Sequence, residues 1–241
     1  MVIMDSDFIA EAERITSFNL ATSHFQSLDY KKEIQHLFKK HFFSSKTRTI
    51  DVVCQKKLNK TIDYLKTNHL QSFKHMHNYK PTGIGPGEIS MYFMVNSAKL
   101  GGGSSAGCDL IDAEAAYEIK AASITQDGYA KDYELGRNVP LANTVKKLSE
   151  LKYELKLGDD SVNISKGQLG IIKTTFTYEF KEIEEDFRHL AFEYFKHHKV
   201  IFLNNSQYSP IGRVESIKYV QAHEIGIERI ARGTVAPRIK L

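Results

Sequence analysis

Three side chains near the middle of this 241-residue chain have the types and spacing to act on a phosphoryl group: Asp109, Glu118 and Lys120. They lie in Gly107-Cys108-Asp109-Leu110-Ile111-Asp112-Ala113-Glu114-Ala115-Ala116-Tyr117-Glu118-Ile119-Lys120. Residues 112–115 read as a turn between two antiparallel strands, which makes Asp109 face Glu118. Strand alternation then puts Glu118 and Lys120 on one face and sends Tyr117 and Ile119 into the opposite layer. Directly opposed Cβ atoms are about 5 Å apart. Two carboxylates at that distance repel, and in a partly buried site one of them must hold its proton unless a cation neutralises the pair. A divalent ion is the natural remedy, and Mg²⁺ takes a few carboxylates together with waters and phosphate oxygens. Such an ion polarises a phosphoryl group and makes water a better nucleophile. Lys120 supplies a compact ammonium that orients the water or offsets charge building on the phosphate. Apolar Leu110, Ile111, Tyr117 and Ile119 predict buried strands. Ala121 and Ala122 follow with small side chains, and Glu88 lies upstream at the end of a Gly85-Pro86-Gly87 turn.

A glutamate on a first helix, followed by an acid, a hairpin and an ExK triplet, resembles the PD-(D/E)xK nuclease superfamily. That group includes many restriction endonucleases, recombination exonucleases and phage nucleases. The likeness covers residues 85–122, under a fifth of the chain. It implies that Glu88 is a helix-borne metal ligand, Asp109 the central metal-bridging acid, and Glu118 with Lys120 the ExK pair. The metal ligands would then be Glu88, Asp109 and Glu118. The proline that often precedes the family's aspartate is replaced by Cys108. The activity implied is Mg²⁺-dependent endonucleolytic hydrolysis of double-stranded DNA, of restriction type, with Mn²⁺ able to substitute. A palindromic target would call for a homodimer, because site symmetry mirrors protein symmetry. Two alternatives stay open: a phage or recombination nuclease of the same fold, and a non-catalytic nucleic-acid-binding or virion structural protein with a nuclease-like sheet.

Those residues need a scaffold. Phe8, Ile9, Ala12 and Ile15, then Ile34, Leu37, Phe38 and Phe42, then Leu58, Ile62 and Leu65 recur at helical spacing. They predict a helical arm or subdomain over residues 1–78, ahead of a nuclease-like core over 79–241. Residues 79–88 are rich in breakers, residues 89–95 read as helix, and Gly101-Gly102-Gly103-Ser104-Ser105 reads as a flexible link. Strands are expected around Cys108–Ile111 and Ala116–Ala121. Leu141, Val145, Leu148 and Leu155 mark a helix after Pro140, and Ile183, Phe187, Leu190, Ala191 and Tyr194 mark another. Lys199–Leu203 reads as a buried strand, with two or three more strands in the tail beyond Arg213. The fold class expected is α/β or α+β, with a central mixed β-sheet flanked by helices. The resemblance implies the same restriction-endonuclease-like core.

The net charge of +4 is unevenly spread. Residues 31–80 hold 12 Lys/Arg against three acids, and the stretch from Lys199 holds seven against three, so the remainder is acidic. A basic segment beside an acidic centre suits a protein that grips a polyanion with one part and a metal with another. The candidate nucleic-acid-binding residues are Lys56, Lys57, Lys60, Lys146 and Arg213, with Lys147 and Lys152 on the same helix as Lys146. Arg213, Arg229, Arg232 and Arg238 are the arginines suited to bidentate reading of guanine.

No apolar run approaches the roughly 20 residues that span a bilayer. The start of the chain lacks a cationic, cleavable leader, so a cytoplasmic setting in a bacterial or phage-infected cell is expected. Cys54 and Cys108 stand outside any CxxC pair, which gives no support to a zinc ribbon. His75-Met76-His77 and His197-His198 have no third ligand nearby in sequence.

Overall fold

A computed structural model describes residues 50, 55–68, 85, 87–88, 91–92, 98–103, 108–136, 139–204 and 212–241. The helices expected within residues 8–15 and 34–42, the 78/79 boundary and the His75–His77 pair lie outside these residues. The fold is α+β, and every strand register described is antiparallel.

The chain divides into two compact units, residues 1–121 with 198–217, and residues 122–197 with 218–241. The first unit holds helix α1 (Gln55–Asn68) and strands β1 (Lys99–Gly103), β2 (Cys108–Ile111), the start of β3 (Ala116–Ile124), β5 (Lys199–Asn204) and nearly all of β6 (Val214–Lys218). Strand order is β1-β2-β3, with β5 paired to β3 and β6 paired to β5. Four successive β5 side chains, Val200 to Leu203, are buried. A strand covered on both faces reads as a continuous apolar run for this reason. Helix α1 is hydrogen-bonded to the start of β6. Asn59 donates from Nδ2 to the Val214 carbonyl (2.8 Å) and accepts the Val214 N–H on Oδ1 (2.7 Å). Gln55 donates to the Glu215 carbonyl. These amides take the place of a neighbouring strand along an edge that would otherwise carry unpaired backbone groups.

Residues 101–103 belong to β1, which corrects their reading as a link. A Cβ on Gly101 would come within 2.1 Å of the Cys108 carbonyl oxygen. The glycine run therefore lets β1 lie close against β2 where the register shifts between Leu100 and Gly103. Lacking side chains, such residues show no strand propensity in sequence.

The second unit builds its sheet from the end of β3, β4 (Tyr129–Lys131), β8 (Thr234–Lys240) and β7 (Ile225–Ala231). The β7–β8 hairpin closes on Arg232 (φ 55°) and Gly233 (φ 73°). Two positive φ values in a two-residue loop match the right-handed twist of the flanking strands. Helices α2 (Ala142–Glu154), α3 (Lys166–Thr175) and α4 (Thr177–Phe195) cover this sheet, with α4 on β7. Phe180, Ile183, Phe187, Ala191 and Phe195 form the buried stripe of α4. Each large side chain there contributes about 2–3 kcal/mol through removal from water. Helix α3 has no counterpart in the sequence expectations, yet it starts at a reciprocal capping box between Ser165 and Gln168. Among the described residues, no helix is long and apolar enough to cross a membrane.

Candidate functional site

The β2–β3 hairpin has the expected register, with Leu110 opposite Tyr117 and Ile111 opposite Ala116. Asp112 makes the turn. Its Oδ1 accepts the N–H groups of Glu114 (2.9 Å) and Ala115 (3.0 Å), and Oδ2 accepts the Tyr117 hydroxyl (3.0 Å) and the Ile50 N–H (2.6 Å). An aspartate that closes a turn on backbone two and three residues ahead is a common local motif. It was legible in Asp112-Ala113-Glu114-Ala115, although its grip on Tyr117 and Ile50 was not. Tyr117 is fully buried, as its place in the opposite layer requires, and Ile119 is nearly so. Ile111 departs from expectation, at 39% exposed. It sits next to the turn, where the strand leaves the core.

Beyond that paired segment the hairpin carries the acids. Asp109 Oδ2 accepts the backbone N–H of Ile119 at 2.7 Å, which ties β2 to β3 through a side chain. Glu118 is buried, and its Oε1 meets Lys120 Nζ at 2.8 Å. Glu88 lies on a helical segment with Gly87, and Met91 and Tyr92 are also helical. Its Oε1 accepts the Gly85 N–H at 2.9 Å. Gly87 brings that segment onto the sheet, because a Cβ there would stand 3.2 Å from Ile119 Cγ2 and 3.0 Å from Leu203 Cδ1.

The charges of Asp109, Glu118 and Lys120 act on Glu88, and those of Glu118 and Lys120 act on Asp109. Burial is the largest influence on Glu88, followed by the negative charge of Asp109 and, more weakly, of Glu118; together they push its carboxyl up to about 7, against the Gly85 hydrogen bond and Lys120. Asp109 is pushed up to about 6 by burial and then by Glu118, with the Ile119 N–H and Lys120 opposing. Burial first and the crowding of like charge second raise both carboxyls above their usual range. Burial, and then the Asp109 and Glu118 carboxylates, also raise the Cys108 thiol, which leaves it an inert buried side chain.

No family model matches the chain, and no match is found among curated proteins or solved structures.

The donor set suits a hard divalent cation. Asp109 Oδ1 and Glu88 Oε2 accept no hydrogen bond among the described residues. Carboxylate oxygens are the ligands that Mg²⁺ and Mn²⁺ prefer. Among the described residues no group of three or more His, Cys, Asp or Glu side chains is placed to hold a metal ion. Mg²⁺ needs none, since it keeps several waters and commonly takes one or two carboxylates plus phosphate oxygens.

The expected basic residues divide between the units. Lys56, Lys57 and Lys60 are exposed on α1, and exposed Arg213 lies at the start of β6 with its guanidinium 3.8 Å from Asp63. All four are in the first unit with the acids. Lys146 is in the second unit, exposed, 3.9 Å from Glu150. Lys147 pairs with Asp186 at 3.0 Å. Lys152 is 3% exposed and donates to the carbonyls of Asp159, Ser161 and Asn163, so it is a structural post for that loop and no part of a basic face. Arg229 pairs with Asp132 (3.1 Å), and Arg238 lies over the Tyr129 ring. His197 and His198 join no metal-holding cluster among the described residues.

Proposed function

We propose that the chain is a Mg²⁺-dependent deoxyribonuclease that hydrolyses phosphodiester bonds in double-stranded DNA, with Glu88, Asp109, Glu118 and Lys120 as its active site. The observation that supports this reading is the charge coupling of Glu88 with Asp109 near the Glu118–Lys120 pair, with burial and then like charge raising the proton affinity of Glu88 and Asp109. Such mutually perturbed groups are the hallmark of a site built for a charged ligand. The pattern is also the one that gave the sequence its resemblance to the PD-(D/E)xK nucleases.

A bound Mg²⁺ would supply Lewis-acid polarisation of the scissile phosphate. The protein's own groups have distinct tasks. Asp109, Glu118 and Glu88 would hold the ion. The Ile119 N–H fixes the Asp109 carboxylate and the Gly85 N–H fixes that of Glu88, so neither reorganises as charge develops. Lys120, held on Glu118, would place an ammonium beside the phosphate to offset its growing negative charge or to orient the attacking water.

Purified protein incubated with supercoiled plasmid and Mg²⁺ tests this directly. Nicked or linear products that vanish in EDTA support the reading. Discrete fragments from linear duplex point to a restriction-type enzyme, and digestion from ends or at branches to a recombination or phage-type nuclease. Intact plasmid under all metal conditions would favour a non-catalytic nucleic-acid-binding protein.

A further inference from the structure

We propose that the outward face of α1, together with Arg213, grips the phosphate backbone of double-stranded DNA, and that Asp63 limits the strength of that grip. The choice of DNA over another polyanion rests on the phosphodiesterase reading above, since both features lie in one unit.

Helix α1 carries Lys56, Lys57, Lys60 and Lys66 against one acid, Asp63. Leu58, Asn59 and Ile62 face inward, while Lys56, Lys57, Lys60, Asp63 and Thr67 are exposed. Lys56, Lys60 and Asp63 follow one another at i, i+4 and i+7, so they share a single face. Lys56 and Lys60 stand about one turn, ~6 Å, apart along the helix. Neither forms an ion pair among the described residues, whereas Lys147, Lys152, Lys166 and Lys218 all do. The two exposed ammonium groups of Lys56 and Lys60, on one face of a helix with four lysines and a single acid, give the surface the positive charge that a polyanion meets.

Rigidity separates this helix from a merely solvated one. Asn59 holds both backbone groups of Val214, and Gln55 holds the Glu215 carbonyl, so these bonds oppose rotation of the helix away from β6 and set which of its faces turns outward. The same contact brings Arg213, the residue before Val214, alongside Asp63. Both partners of that pair are more than half exposed, at 60% and 54%. Such pairs are weak and readily exchanged for another anion. The carboxylate of Asp63 therefore occupies the guanidinium until a phosphate replaces it. Burial is the main reason the Lys66 ammonium lies below its usual range, with Asp63 opposing it and Arg213 adding a smaller downward push.

The test is the anisotropy of a fluorescein-labelled 20-base-pair duplex with the full chain in EDTA, over a series of KCl concentrations. Cleavage is silent under these conditions, so grip and catalysis are read separately. K56A/K60A is expected to bind at least about tenfold more weakly and to lower the slope of log affinity against log salt by about two, close to one per lost phosphate contact. D63N is expected to bind several-fold more tightly. Both changes should be the same on a second duplex of unrelated sequence. Unchanged affinity and slope in K56A/K60A, with its thermal melt unaltered, would overturn the grip. Unchanged or weaker binding by D63N would overturn the role of Asp63. Wild-type protein that binds in this way but never cuts with Mg²⁺ would overturn the nuclease reading and uphold the grip.

Discussion

Asp109 is fastened to the strand opposite by the N–H of Ile119, which donates to its Oδ2 at 2.7 Å. The residue thus serves as a ladder element in the hairpin, and in the proposed function it is also the central metal ligand. Asn at this position can still accept the Ile119 N–H but carries no charge. Asp109→Asn is therefore expected to keep the fold and to lower Mg²⁺-dependent DNA cleavage by about 10²-fold or more. Lys120→Ala is expected to do the same. Plasmid cleavage alongside near-ultraviolet circular dichroism checks both; full activity in either variant counts against the assigned roles.

Proton linkage gives a second expectation. Glu88 and Asp109 have folded pKa values near 7 and 6, raised above the ordinary carboxylate range. The folded chain therefore binds protons more tightly than the unfolded chain between about pH 4 and 7, and stability falls as pH rises through that window. Without divalent metal the protein should melt at lower temperature at pH 8 than at pH 5 on account of these groups. Asp109→Asn should shrink that difference, and Mg²⁺ should restore more stability at pH 8 than at pH 5. Thermal melts at the two pH values decide it, with equal pH dependence in wild type and variant as the opposing result.

The hairpin was legible in sequence because its signals are local. A turn at residues 112–115, period-two alternation from Tyr117 to Lys120 and the ExK triplet all fall within a dozen residues. Gly101–Gly103 was not, because its strand role comes from a close approach to Cys108 that the glycines do not announce. Lys152 looked like any other basic helix residue. Only the fold of the 159–163 loop turns it inward. The α3 helix carried a readable Ser165–Gln168 start, but its apolar stripe of Leu169 and Ile172 is short. The charge coupling of Glu88 with Asp109 depends on a segment 21 positions away in sequence, which no local pattern fixes.

Glycine substitutions separate close approach from simple chain flexibility. Gly101→Ala would drive a methyl into the Cys108 carbonyl and should cost about 2–3 kcal/mol. Gly170, exposed within α3, has nothing within 4 Å of a built Cβ. Gly170→Ala should instead stabilise by about 0.5–1 kcal/mol through helix propensity. Urea denaturation of the two variants measures both, and the same sign of change in each would contradict the packing described for β1.

Lys152→Met keeps the length of the side chain and removes its ammonium. Three loop carbonyls and the Asp159 carboxylate then lose their donor. The loss should be about 2–3 kcal/mol, with DNA binding unchanged. A variant as stable as wild type, or one impaired mainly in DNA binding, would return Lys152 to the basic surface.

The acid cluster itself is most directly tested by Mn²⁺ titration followed by electron paramagnetic resonance, in the presence of a phosphorothioate-blocked duplex. Wild-type protein is expected to remove at least one Mn²⁺ per chain from solution, and Asp109→Asn and Glu118→Gln to remove none at the same concentrations. Equal uptake by wild type and both variants, or no uptake by any of them, would contradict a metal site at the β2–β3 hairpin.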